Sequence, residues 1–169
     1  AVGGVEPRDL ATWTLDGVSA ATPLALIKDG NIDSLRSFTE FFIGHQPGCI
    51  GETSSIAILI GFAILLYKDI IKWHIPVVYL AVTAILCTLF GRPVGPLYEM
   101  FTGGLMLGAV FMATDYTTSP ITRRGQIIFA AGCGVLTALI RTWGGYPEGV
   151  SYSILIMNLT VPLIDRFTK

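Results

Sequence analysis

The chain has 169 residues, of which 52% are hydrophobic and 14% are charged, and its formal net charge at pH 7 is −1. Typical soluble domains contain about 25% charged residues. The shortage of charge, together with several long apolar runs, predicts an integral membrane protein in a lipid bilayer. Nucleic-acid binding requires a basic patch, which this balance does not provide, so no nucleic-acid partner is expected.

Three widely spaced cysteines, Cys49, Cys87 and Cys133, do not suggest a metal site. No two of them have the short spacing of metal ligands, and their number is odd. Cys87 and Cys133 lie inside apolar runs, where cysteine usually serves as a small buried hydrophobic residue. No metal ligand and no catalytic residue are therefore predicted, and an iron–sulfur site shared between subunits is the alternative for these cysteines.

Residues 1–53 contain no apolar run long enough to span a membrane and are predicted to form a separate segment with short helices. Within it, Pro23 suits the first position of a helix and favours an extended conformation for Thr22. Thr22 is then the natural N-cap of a helix that reaches Lys28, where a following Asp-Gly pair would end it.

Residues 16–22 follow the pattern Asp-x-x-Ser-Ala-Ala-Thr, which resembles the acceptor site where a flavin transferase attaches FMN through a threonine phosphoester. A helix N-terminus favours phosphate, because its free N–H groups and its dipole attract negative charge. The residues alone leave two interpretations of Thr22 open, a helix cap or a flavin attachment site. In the second interpretation Asp16, Ser19 and Ala21 belong to the motif that the transferase recognises.

A glycine-rich turn at residues 44–54 leads into the first long apolar segment. Glycines such as Gly48 and Gly51 let the backbone approach a flat ligand closely. Together with Glu52 they are candidates for the neighbourhood of a flavin. The alternative is a plain loop, in which Ser54 or the threonine before it caps the next helix.

Five apolar segments make up most of residues 54–169, which are predicted to form an all-α, polytopic membrane domain. They cover residues 54–67, 75–90, 96–114, 126–140 and 150–164. A spanning helix needs about 20 residues, with a range of about 17–25, and several of these segments are shorter. Glycine and proline interrupt them, so some of the five spans are expected to be short or broken.

Loop charges predict how these spans are oriented, because cytoplasmic loops are enriched in Lys and Arg. Basic residues follow the first, third and fifth segments and are rare in the loops between. The basic residues that follow the first, third and fifth segments form the first set: Lys68, Lys72, Arg123, Arg124, Arg166 and Lys169. The loops between contain the second set, Arg92 and Arg141. The first set and the C-terminus are therefore expected in the cytoplasm. The segment that carries Thr22 is then extracytoplasmic, at the inner (plasma) membrane.

Two acidic residues lie within or next to the third apolar segment. Asp115 follows it, close to the predicted cytoplasmic face, and Glu99 lies near its start. Ionisable residues at such positions are candidates for function, and Asp115 is a candidate for an ion pathway. The alternative for Asp115 is a solvated loop residue, or one that pairs with Arg123 or Arg124.

Taken in order, these motifs resemble the D subunit of the Rnf electron transport complex, a relative of the B subunit of the sodium-translocating NADH:quinone reductase. The matching stretches are residues 16–24, 47–54, 111–115 and 144–150, and residues 158–165 resemble the C-terminus of the Rnf protein. Cys49 stands where relatives usually have serine. The resemblance covers nearly the whole chain, and its motifs occur in the family's order.

The resemblance implies a membrane flavoprotein subunit of an ion-translocating ferredoxin:NAD oxidoreductase, which is not catalytic by itself. FMN esterified to Thr22 would relay electrons, and electron transfer would be coupled to transport of Na⁺ or H⁺. A second flavin, riboflavin or FMN, would be held without a covalent bond. The implied partners are the other Rnf membrane and peripheral subunits, a flavin transferase and the lipid bilayer.

Members of this family are twice as long, with about ten spans in an inverted-repeat fold, so the chain resembles their C-terminal half. For that reason no residue is assigned to the second flavin. The alternative function is a channel or transporter domain without flavin, which short and interrupted spans fit equally well. Flavin that stays bound after denaturation would distinguish the two.

Overall fold

A computed structural model describes residues 23–28 and 54–168, and every regular element in these two ranges is helical. The α-helices are α1 (Pro23–Lys28), α2 (Ser55–Tyr67), α3 (His74–Leu89), α4 (Pro96–Phe101), α5 (Leu105–Leu107), α6 (Arg123–Trp143) and α7 (Val150–Thr168). The described part contains no β-strand, which confirms the predicted all-α class. The number of spans and the inverted repeat stay predictions.

The helix starts follow the capping signals in the sequence. α1 begins at Pro23, the residue predicted for the first helical position. Before α2, the Oγ of Ser54 accepts a hydrogen bond from the Ala57 backbone N–H at 3.4 Å. Before α6, the Oγ1 of Thr122 accepts one from the Gly125 N–H at 3.1 Å. Each hydroxyl satisfies a backbone donor that the helix itself leaves free.

Helix α6 packs against both α3 and α7 and forms the centre of the bundle. Small residues allow this close approach: a Cβ on Gly134 of α6 would lie 2.8 Å from the Cβ of Val82 on α3. The core between the helices is apolar. Its fully buried members include Tyr79, Leu105, Ala109, Phe129, Ala130 and Cys133.

Three hydroxyl groups inside this core connect the three central helices. The Oη of Tyr79 on α3 lies 2.7 Å from the Oγ1 of Thr137 on α6 and 3.0 Å from the Oγ of Ser153 on α7. Thr137 and Ser153 are also hydrogen bonded to each other, at 2.6 Å. Because a buried hydroxyl is costly unless it is hydrogen bonded, this cluster fixes how the helices are aligned.

The outer surface of the bundle is apolar, the reverse of a soluble protein. Large hydrophobic side chains are exposed on α2, α3 and α7, among them Ile60 (56%), Ile85 (64%) and Leu159 (84%). By length and composition, α6 is the one described helix that could cross a membrane, and α2 and α3 are apolar but shorter. An apolar exterior of this extent matches a lipid environment.

The sequence predicts that some apolar segments are short or broken, and the structure shows that the third, residues 96–114, is interrupted. Helix α4 ends at Phe101, and α5 starts at Leu105 and continues into a π-helical turn over Gly108–Met112. The break between them, residues 102–104, contains Gly103 at φ +66°. This left-handed conformation is unfavourable for residues with a Cβ, so glycine places the break at this position.

Candidate functional site

At one end of the bundle, a glutamate is buried between two arginines. Glu99 on α4 is 1% exposed, and its Oε2 accepts a hydrogen bond from Nη1 of Arg141 on α6 at 3.0 Å. Its Oε1 accepts from Nε of Arg92, whose side chain is 8% exposed. Buried charges are stable only when they are paired and hydrogen bonded. We call this region, with Glu148 nearby, the buried-charge end.

Arg141 also holds the backbone of α4 where that helix stops. Its guanidinium donates to the carbonyl oxygen of Glu99 at 2.8 Å and to that of Thr102 at 3.0 Å. The last carbonyls of a helix have no partner within the helix. Inside an apolar bundle such groups must be satisfied by protein, and here one fully buried arginine does so.

Glu148, which precedes α7, satisfies the other side of the break. Its Oε1 accepts a hydrogen bond from the backbone N–H of Gly104 at 2.5 Å. Gly104 is the N-cap of α5, where backbone donors lack partners within the helix. A positive side chain therefore holds the carbonyl side of the break and a negative one holds its amide side, as the helix dipole favours.

Helix α1 lies against the same end. Leu24 and Ile27 are buried, at 3% and 4% exposure, although the helix has only six residues. Leu24 contacts the break at Gly103. Lys28 donates a hydrogen bond from Nζ to the carbonyl oxygen of Gly144, at the end of α6, over 2.5 Å.

The opposite end carries exposed basic residues, and we call it the exposed-charge end. Hydrogen bonds bring its parts together: Nε2 of His74 lies 2.6 Å from Oε1 of Gln126, and the Ile121 N–H donates to Asp165 at 3.1 Å. Its described basic residues are Lys68, Lys72, Arg123, Arg124 and Arg166. The structure thus gathers the described members of the first basic set at one end.

A cavity of about 690 Å³ opens at the exposed-charge end. Trp73, His74 and Ile121 form apolar and aromatic parts of its lining, and Lys72 and Arg123 contribute positive charge. Lys72 is paired with Asp69 at 3.0 Å, and both side chains are largely exposed. Such an exposed pair contributes little to stability, about 0–1 kcal/mol.

Asp115 is an exposed residue of the loop that follows the π-helical turn. Its Oδ2 accepts hydrogen bonds from the hydroxyls of Thr117, at 2.7 Å, and Thr118, at 3.1 Å. These two donors hold the pKa of the Asp115 carboxyl below its ordinary value. The sequence left two alternatives to an ion-pathway role, a solvated loop residue or a pair with Arg123 or Arg124. The placement agrees with the first, and among these described residues no ion pair joins Asp115 to either arginine.

The remaining predicted site residues lie outside the described ranges. They are Asp16, Ser19, Ala21 and Thr22 of the acceptor motif and Gly48, Gly51 and Glu52 of the glycine-rich turn. Their proposed roles therefore stay predictions. The described chain begins at Pro23, directly after Thr22.

The expected position of Arg141 in the loop after the fourth apolar segment is wrong. Helix α6 extends to Trp143, so Arg141 is helical and fully buried. The fourth apolar segment ends at residue 140 because the charged Arg141 follows it. A buried helix can nevertheless extend past a charged residue when that residue has a partner. Glu99 was the available signal, since an acidic residue in the preceding apolar segment requires a partner.

In the described ranges, an apolar exterior, a helical bundle and charges at its two ends are features typical of helical membrane proteins. Comparison with known proteins makes the assignment specific, since the model of the NQR2, RnfD, RnfE family matches residues 5–169. The chain therefore belongs to the NQR2, RnfD, RnfE family.

Three similar proteins are named as D subunits of ion-translocating oxidoreductase complexes. The chain is 55% identical over 156 residues (91% of this chain, 48% of the relative) to the D subunit of the Na⁺-translocating ferredoxin:NAD⁺ oxidoreductase complex of Acetobacterium woodii. It is 46% identical over 182 residues (96% of this chain, 55% of the relative) to the D subunit of the proton-translocating ferredoxin:NAD⁺ oxidoreductase complex of Clostridium ljungdahlii. It is 43% identical over 172 residues (91% of this chain, 48% of the relative) to the D subunit of the ion-translocating oxidoreductase complex of Stutzerimonas stutzeri.

The chain spans about half the length of the curated relatives it matches. These relatives are named as subunits of redox-driven ion translocases, and their names differ in the transported ion, Na⁺ in one and protons in another.

Proposed function

We propose that this chain is half of a D subunit in an ion-translocating ferredoxin:NAD⁺ oxidoreductase complex, where it relays electrons through FMN attached to Thr22. The observation that carries the proposal is the 55% identity to a protein of that name over 91% of this chain. The chain contributes to a redox-driven ion translocase but performs no hydride chemistry alone. Its partners are the other membrane and peripheral subunits of the complex.

The FMN site requires a hydroxyl at Thr22 and a transferase that reaches it. Threonine supplies the oxygen for a phosphoester, and Asp16, Ser19 and Ala21 complete the acceptor motif. The described neighbour, Pro23, is buried as the first residue of α1, so the helix after the motif is anchored to the bundle. This anchoring fits a residue that must hold a large group at a fixed place. FMN, when attached, supplies the ability to accept and pass on electrons.

A second flavin, riboflavin or FMN without a covalent bond, belongs to the same proposal. Gly48, Gly51 and Glu52 are the residues of this chain offered for the flavin neighbourhood. Because the chain spans about half of its relatives, residues outside it would complete such a site.

The proposed placement is the inner (plasma) membrane, with the Thr22 segment extracytoplasmic and the C-terminus cytoplasmic. Two independent features support it. The described basic residues of the first set lie at the exposed-charge end, and α1 lies at the opposite end with Arg92 and Arg141. Since positive charge favours the cytoplasmic side, the α1 end faces outward. The proposal includes five spans, of which the third is broken.

The test of FMN attachment is the intact mass of the purified chain, with Thr22→Ala as the matched variant. A phosphoester adds FMN and releases water, so the expected gain is about 440 Da in the wild type and none in the variant. An unmodified wild-type mass, from a host shown to contain the transferase, would overturn the flavin site. It would favour the alternative of a channel or transporter domain, which the broken third segment also fits.

Asp115 is the proposed contribution of this chain to the ion pathway. It is an exposed carboxylate at the end where the third segment leaves the bundle. The test is Asp115→Asn in the complete complex, with the dependence of electron transfer on Na⁺ or pH as the measurement. An unchanged ion dependence would remove Asp115 from the pathway.

A further inference from the structure

Helix α1 is too short to be stable by itself. Isolated helices below about 12–15 residues are marginal in water, and α1 has six residues. Its conformation therefore depends on the surface that it packs against. Pro23, Leu24 and Ile27 are all buried, so half of the helix faces the bundle.

One described contact of α1 is with the break in the third segment. A Cβ on Gly103 would lie 2.6 Å from Cδ1 of Leu24 and 3.5 Å from Oε1 of Glu148. Leu24 thus occupies the space that a side chain at residue 103 would need. The same residue is held in the left-handed region, at φ +66°.

The second contact ties α1 to the end of α6. Lys28 donates to the carbonyl oxygen of Gly144 at 2.5 Å, three residues after Arg141. Arg141 and Glu148 hold the two sides of the break. The helix, the break and the end of α6 therefore form one connected unit.

We propose that Leu24 and Lys28 are positioning residues: they dock α1 against the break in the third segment, and this docking limits solvent access to the cofactor proposed on the residue before α1. Consecutive Cα atoms across a trans peptide are about 3.8 Å apart, so the docked Pro23 is one residue spacing from the proposed attachment residue. The inference rests on the proposed attachment of FMN to Thr22.

The variant Gly103→Ala tests the contact, and Gly91→Ala is its matched control. Both glycines have a positive φ, +66° and +72°, so both substitutions introduce similar backbone strain. A Cβ at residue 91 has no neighbour within 4 Å, whereas one at residue 103 meets Leu24. The difference between the two variants therefore isolates the contact with α1.

Two measurements on the purified complex give the result. Hydrogen exchange of the backbone amides of residues 24–28 reports whether α1 is docked. Iodide quenching of flavin fluorescence, as the part of the signal that Thr22→Ala removes, reports the exposure of the attached cofactor. Amide exchange is expected to be at least about tenfold faster in Gly103→Ala, because local opening becomes easier. Quenching is expected to increase in the same variant, and neither quantity should change in Gly91→Ala.

A second substitution keeps the test independent of general destabilisation. Leu24→Val removes the Cδ atoms that collide with a Cβ at residue 103. Adding it to Gly103→Ala is expected to restore slow exchange and low quenching, at least in part. Rescue of this kind is not expected if Gly103→Ala acts only through backbone strain.

Each remaining outcome overturns the inference in a recognisable way. Unchanged exchange in Gly103→Ala shows that the Leu24 contact does not hold α1. Faster exchange with unchanged quenching shows that α1 is docked but does not position the cofactor, and the proposed function survives. A wild-type mass without FMN removes the proposed function itself and this inference with it.

Discussion

The two ends of the bundle use charge in different ways. At the buried-charge end, Arg92, Glu99 and Arg141 are almost fully enclosed and hydrogen bonded to one another and to backbone. At the exposed-charge end, Lys72 and Asp69 form a pair whose side chains are 54% and 83% exposed. The buried charges hold the helices together where the third segment breaks, whereas the exposed charges are open to solvent.

This difference has a physical reason. A charge in water loses little when its partner is removed, because solvent replaces the partner. A charge inside an apolar bundle has no such replacement, so each buried arginine needs the acceptors that it contacts. Substitutions at the two ends should therefore differ strongly in their effect on stability, and four experiments, in decreasing order of expected effect, test the comparison.

The largest effect is expected for Arg141→Met. The substitution leaves the carbonyl of Thr102 without its donor and leaves Glu99 with Arg92 alone. Breaking a buried pair from one side costs about 3–5 kcal/mol of unfolding free energy. Denaturant unfolding of the purified chain in detergent measures this loss. The control is Arg124→Met at the exposed-charge end, where a change of about 0.5 kcal/mol or less is expected. Equal losses would contradict the distinction between the ends.

A smaller loss is expected for Gln126→Leu at the exposed-charge end. The Gln126 amide makes a 2.6 Å hydrogen bond with His74 and donates to the carbonyl of Pro120 at 2.9 Å. Leaving such partly buried groups unpaired costs about 1–3 kcal/mol. The same unfolding measurement checks it, with Ile127→Ala as a control on the exposed face of α6. A negligible effect would mean that solvent already reaches His74.

The pair of Lys72 and Asp69 should contribute less still. A double-mutant cycle with Lys72→Gln and Asp69→Asn is expected to give a coupling energy of about 0–1 kcal/mol, decreasing with added salt. A coupling above that range, insensitive to salt, would show that this end also uses charge to hold its structure.

The smallest effect concerns the pH dependence of the Asp115 loop. The hydroxyls of Thr117 and Thr118 lower the pKa of the Asp115 carboxyl in the folded state, so its contribution is present above the pKa of the unfolded chain. That contribution is lost as the pH falls through the lowered pKa, and neutral pH lies far above this window. An NMR titration of the loop should show the transition in acid, and Asp115→Asn should abolish it. A transition near neutral pH would show that the folded loop raises the pKa of the Asp115 carboxyl instead of lowering it.

Several features were predictable because local chemistry fixes them. Pro23 marks the start of α1 and Ser54 caps α2, since both act on neighbouring backbone. That some of the apolar segments would be interrupted was predictable from their glycines and prolines. The segregation of basic residues was predictable because alternate loops of antiparallel spans return to the same end.

Other features required the packed bundle. Glu99 and Arg141 are 42 residues apart in the chain, and nothing in either local sequence names the other as its partner. The contact between Leu24 and the break joins residues still further apart and depends on the left-handed Gly103. The hydroxyl cluster of Tyr79, Thr137 and Ser153 joins three helices and has no sequence motif.

The sequence by itself determined the helical membrane class, the caps, the glycine break and the bias of charge between alternate loops. Each of these follows from composition, from neighbouring backbone groups or from the transfer of apolar and charged residues between water and lipid. Only the tertiary structure decided which charges are buried together and where α1 docks. Those contacts join residues that are distant in the chain, and their energies exist only once the helices have packed.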